Sequence, residues 1–162
     1  MYDKEILNLN KLTKQNKGGK YLIGMLQNLY CSCQSEFSAF LLFNYQSLSI
    51  KDKKLSNLLE NISKQNLENS RVLGRLISKE KGLPFYLNSQ HSPLTAFWLQ
   101  FDTNIEKVLS ININFLTTLI NNYQIYIQKI KQKNITQTLN KLRDINQNNL
   151  NLLKQFSTTQ KL

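Results

Sequence analysis

The chain has 162 residues, with 21 Lys and Arg against 10 Asp and Glu and a formal net charge of +11. That length suits one domain able to bury a core without disulfides, and 5 Gly with 2 Pro supply too few turn residues for a sandwich or barrel. Amides stand where acids would: 21 Asn and 14 Gln are side-chain carboxamides, a bias toward Lys, Asn and Ile that an AT-rich genome also produces.

Met1 to Lys20 is polar, ends in Gly18-Gly19 and reads as an arm. It carries charges throughout and has no apolar h-region, so no secretory signal is expected. From Tyr21 apolar residues recur at helical spacing through Leu22, Met25, Leu26, Leu29, Cys33, Phe37, Phe40 and Leu41, predicting one helix to about Ser47. Cys31 and Cys33, two apart on that helix, would face different ways and remain unbridged, reduced structural thiols in a cytoplasmic protein.

A second helix is predicted from about Lys51, with Leu55, Leu58, Leu59, Ile62, Val72, Leu73, Leu76 and Ile77 on one face. Lys79 and Lys81 suit its negative end, Gly82 is expected to take the left-handed cap, and Pro84 follows. Gly82 to about Gln100 forms the one long connection and holds Pro93, Trp98 and the single His91, whose isolation precludes a Ser/His/Asp or Cys/His set. No phosphate-cradling glycine loop occurs anywhere.

The third helix is predicted from a cap at Asp102 or Thr103 to about Lys131, through Ile105, Val108, Ile111, Phe115, Leu119 and Ile125. The fourth runs from about Thr136 through Leu139, Leu142, Leu152, Leu153 and Phe156. The expected domain spans 21–158, with a short tail over 159–162. No stretch alternates with period two, and no apolar run is long enough to be a transmembrane segment; Phe37 to Phe43 is the densest. Two helical hairpins joined by a long crossover predict an all-α, antiparallel four-helix bundle of the ferritin-like kind.

The stripes fail at particular places. The inward phase passes through Glu36 in helix one, Asn66 and Asn69 in helix two, Asn114 in helix three, and Asn146 and Asn149 in helix four. Each lies near mid-helix, so all are expected in one interior layer. Carboxylate di-metal bundles put their ligands at such a level, a Glu from each of two helices and Glu-x-x-His from the other two. This chain repeats the i, i+3 spacing as Asn-x-x-Asn, and neutral amides are weak ligands that do not offset the dehydration of two divalent ions.

The segments CQSEFSAFLLFNYQS, NLENSRVLGRLISKEKGLPFY, NINFLTTLINNYQIYI and DINQNNLNLLKQF resemble the four ligand-bearing helices of the ferritin-like superfamily, in its rubrerythrin- and manganese-catalase-like branch. The resemblance implies a ferritin-like bundle and puts Glu36, Asn66, Asn69, Asn114, Asn146 and Asn149 on the six ligand positions, five of them changed to Asn. It therefore implies a degenerate centre: no catalytic residue, no metal and no cofactor expected, Mn or Fe being the alternative. On this reading the amides hydrogen-bond to one another and to Glu36, whose pKa would otherwise rise on burial.

Tyr123 and Tyr126 are expected to pack, and Glu68 with Arg71 to form a solvated pair on the outer side of helix two. Lys51, Lys53 and Lys54, and Lys129, Lys131 and Lys133, form clusters that could meet nucleic acid, an acidic partner or a membrane surface. The expectation is a non-enzymatic structural or interaction protein, with a protein partner or a second copy of itself; the alternative is a metal-binding oxidoreductase with a weak Asn-lined site.

Overall fold

A computed structural model describes residues 17–85 and 102–159 of the chain. In order they form α1 Lys17–Tyr30, α2 Glu36–Ser49, α3 Lys53–Lys79, α4 Ile105–Lys129 and α5 Lys133–Thr159, with no strand among the described residues. The bundle is the expected one, with α1 and α2 together filling the place of its first helix. His91, Pro93, Trp98, most of the N-terminal arm and residues 160–162 lie outside the described residues.

The predicted single helix over Tyr21 to Ser47 is two helices, and serines explain the break. Ser35 adopts an extended conformation and caps α2, its Oγ accepting from Ser38 N. Ser35 Oγ donates to the Ser32 carbonyl at 3.0 Å, and Ser38 Oγ donates to the same carbonyl. These bonds give the backbone an alternative to the helical ladder. Cys31 and Cys33 therefore lie in the break, unbridged, Cys31 buried and Cys33 exposed. The break also shifts the phase: Cys33 is exposed, Phe37, Phe40 and Leu41 are only half-buried, and α2 buries Glu36, Ala39, Leu42, Phe43 and Gln46 instead.

Other helix ends differ in detail. Asp52 caps α3 by accepting from Leu55 N at 2.9 Å, and Asn104, rather than Asp102 or Thr103, caps α4. Past α3 the left-handed residue is Lys81, with φ 62°, and not Gly82. Gly82 is needed for space: a Cβ there would lie 2.8 Å from Ile77 Cγ2 and 3.0 Å from Ile23 Cγ2.

Tight turns make α2–α3 and α4–α5 antiparallel hairpins. The second half of α1 lies beside the ends of both α3 and α4. Tyr30 packs on Gly74, Gln27 holds the Phe85 backbone with Nε2 donating to the carbonyl at 2.6 Å, and Asn28 donates to Tyr126 Oη at 3.2 Å. One end of the bundle thus carries the starts of α1 and α5 and the ends of α3 and α4. The other carries the ends of α2 and α5 and the starts of α3 and α4, so the crossover joins opposite ends. The core between them is built from Leu26, Leu29, Leu55, Leu59, Leu73, Leu119, Leu139 and Leu153, all fully buried.

Candidate functional site: a carboxylate in a cage of amides

The two hairpins share a register. α3 opens at Lys53 and α5 at Lys133, 80 residues later. The same offset carries Leu59 onto Leu139, Ile62 onto Leu142, Asn66 onto Asn146, Asn69 onto Asn149 and Leu73 onto Leu153, and all ten are buried. Applied to the facing helices, it carries Glu36 onto Leu116 and Phe43 onto Tyr123.

Glu36 is fully buried in the first turn of α2, where an acid favours the positive helix end. Four neutral donors surround its carboxylate. Oε1 accepts from Tyr123 Oη at 2.7 Å and Asn146 Nδ2 at 2.6 Å. Oε2 accepts from Asn66 Nδ2 at 2.6 Å and Asn69 Nδ2 at 3.3 Å. Two oxygens with about four lone-pair directions are thereby saturated. The cage is itself linked, Asn66 Nδ2 also donating to Asn146 Oδ1 at 3.0 Å and Asn146 Nδ2 to the Leu142 carbonyl at 3.1 Å.

Burial raises the Glu36 pKa, against the opposing pull of Tyr123, Asn66, Asn146 and Asn69. Burial and the adjacent carboxylate push the Tyr123 phenol well above its ordinary value, so it stays protonated and donates.

Of the six residues expected in the layer, Glu36, Asn66, Asn69 and Asn146 meet directly, and Asn149 is buried one turn along α5. Asn114 does not belong: it is exposed on α4. The residue related by register to Glu36 is Leu116, fully buried, so this helix contributes no polar group at the equivalent position. The buried α4 face runs instead through Val108, Asn112, Phe115, Leu119 and Tyr123.

Tyr123, expected only to pack, also reaches the site with its hydroxyl. Its signal was in the register, since it stands seven residues after Leu116 on the buried face of α4.

Other buried amides, in both halves, are less well served; in α2 both amide atoms of Gln46 lack a partner. Asn149 Nδ2, Asn66 Oδ1 and both amide atoms of Asn112 are buried without a partner. Among the described residues, no three His, Cys, Asp or Glu side chains come together. Elsewhere Glu68 pairs with Arg71 and also with Arg75, both at 3.2 Å and exposed, as the outer side of α3 requires.

No family model and no curated protein matches the sequence. Among solved structures, the wild type of KatB, a manganese catalase from Anabaena, matches with a TM-score of 0.84 at 18% identity, over 88% of this chain and 74% of that one. A second structure of KatB, from Anabaena PCC7120, gives 0.81 and 17% over the same shares. At that identity the likeness is one of architecture, and the architecture is the ferritin-like bundle.

Proposed function

We propose that this chain is a ferritin-like bundle without a di-metal centre, acting in the cytoplasm as a non-catalytic structural or protein-interaction module. The observation that carries the reading is the Glu36 carboxylate, whose two oxygens already take four neutral donors. The layer offers one carboxylate, amides and a phenol, at most a single negative charge. Two divalent ions demand several anionic or imidazole ligands to offset their dehydration. Asn nitrogens face the carboxylate, and nitrogen donors of that kind cannot coordinate a cation. The donor set does not fit the pair of ions that a di-metal bundle holds.

Exposed apolar residues such as Leu48, 80% exposed, leave surface for a protein partner or a second copy of the chain. The likeness to manganese catalases favours the second reading, an oxidoreductase with a weak site lined by asparagines.

Melting curves with and without manganese or iron separate the two, because a ligand that binds only the folded state raises Tm. The expected result is an unchanged Tm and substoichiometric metal in the purified protein. A clear rise with manganese would overturn the proposal.

A further inference from the structure

The two lysine clusters read from the sequence lie at opposite ends of the bundle, and the ends differ in charge. Lys51, Lys53 and Lys54 share their end with Asp52, Asp102 and Glu106, and Lys107 there pairs with Asp102 at 3.6 Å. The end formed by the start of α1, the end of α3 and the α4–α5 turn is different. It brings together Lys20, Lys79, Lys81, Lys129, Lys131 and Lys133, all exposed, against Glu80. None of those six lysines makes an ion pair among the described residues, whereas Arg71, Arg75 and Arg143 are each paired with an acid.

Exposed apolar side chains stand among these lysines. Tyr21 is 58% exposed and Leu83 is 52% exposed. Both belong to this end, since Leu83 follows Gly82, which packs against Ile23 in the first half of α1. Lysines on three separate chain segments, with no free arginine for bidentate contacts, suit diffuse negative charge rather than base readout. An aromatic and an aliphatic residue inside the patch suit an interface with a lipid headgroup layer.

We infer that this end of the bundle docks onto an anionic lipid surface, the lysines meeting headgroup phosphates and carboxylates while Tyr21 and Leu83 enter the interface. No described helix is long and apolar enough to cross a membrane, so the contact is peripheral. The inference is independent of the interior layer and survives or fails apart from the metal question.

Cosedimentation of the full chain with vesicles tests it. Vesicles of phosphatidylcholine with about 30 mol % phosphatidylserine should bind the protein and pure phosphatidylcholine should not, with binding lost as salt rises from about 0.05 to about 0.5 M. Each lysine removed should lower the partition coefficient about fivefold, so Lys129→Ala/Lys131→Ala/Lys133→Ala should lose roughly a hundredfold. Lys51→Ala/Lys53→Ala/Lys54→Ala, at the opposite end, should bind as the parent does. Tyr21→Ser/Leu83→Ser should weaken binding with the salt slope unchanged. All the substituted residues are exposed, and an unchanged melting curve confirms that each variant is folded. No binding to anionic vesicles, equal losses from the two lysine triplets, or tighter binding to duplex DNA than to the vesicles would each overturn the inference.

Discussion

The two hairpins of this bundle solve the same interior problem differently. In the α2–α3 half, Glu36 is fully buried and Asn66 and Asn69 donate to it. In the α4–α5 half the corresponding positions are Leu116, Asn146 and Asn149, and Asn146 crosses over to serve Glu36 as well. The partner aromatics are exchanged in the same sense: Tyr123 of α4 reaches Glu36, while its register mate Phe43 in α2 has no hydroxyl and packs edge-on against Phe115 at 6.3 Å. Buried polar groups are stabilised by pairing, and the carboxylate draws its donors from α3, α4 and α5. Here one carboxylate has gathered the donors of both halves, leaving Asn149 Nδ2 and Asn66 Oδ1 over.

The largest test of that asymmetry puts carboxylates and imidazoles into the layer. Asn66→Glu, Asn69→His, Leu116→Glu, Asn146→Glu and Asn149→His beside Glu36 would put four carboxylates into one buried layer. Their mutual repulsion should cost at least about 3–5 kcal/mol without metal. Manganese or iron should restore the loss, read as a metal-dependent rise in Tm. The same set with Asn114→Glu in place of Leu116→Glu should gain much less from metal, because Asn114 points outward. Equal rescue of both sets would break the register between the hairpins.

Next in size are the two aromatics. Tyr123→Phe removes the 2.7 Å donor to a buried carboxylate and should cost about 1.5–3 kcal/mol in urea denaturation. Phe43→Tyr brings a hydroxyl beside Phe115, where no carboxylate among the described residues receives it, and should also destabilise, by about 1–3 kcal/mol. A neutral Tyr123→Phe would mean that the hydroxyl contributes nothing to holding Glu36.

The pH dependence follows from the raised Glu36 pKa. Between the ordinary glutamate value and the higher folded value, the native state retains a proton that the unfolded chain has lost. This group's contribution to stability therefore falls as pH rises through that window and is flat above it. Denaturation midpoints measured from about pH 4 to about pH 8 should show that fall in the parent and lose it in Glu36→Gln. An identical slope in the variant would place the titration elsewhere.

Much of this was legible in the sequence. The helix stripes gave the bundle, and interruptions of those stripes gave Glu36, Asn66, Asn69, Asn146 and Asn149, because an inward polar residue stands out against leucines at fixed spacing. Two kinds of residue were not legible. Leu116 is apolar in an apolar stripe, so nothing in its chemistry distinguishes the register mate of a buried glutamate from ordinary core. Tyr123 looks like packing until its hydroxyl has a partner, and that partner lies 87 residues away. The break before α2 was hidden for a related reason: serines are tolerated in helices, and only their mutual hydrogen bonds around Ser32, Ser35 and Ser38 end one here.

The smallest effects sharpen the comparison most, because they set register mates against each other. Asn69 and Asn149 occupy equivalent places, are both nearly fully buried, and differ in what their amide nitrogens find. Asn69 Nδ2 donates to Glu36 at 3.3 Å, the longest of the four bonds, and Asn149 Nδ2 donates to nothing. Asn69→Leu should cost about 1–2 kcal/mol, since it leaves one carboxylate oxygen short of a donor. Asn149→Leu removes an unpaired buried donor, adds apolar volume of similar size, and should be neutral or stabilising by up to about 1 kcal/mol. Both are measured by the same urea denaturation at neutral pH. Equal costs for the two would mean that Asn149 is as well bonded as Asn69, and that the two halves are less different than their side chains suggest.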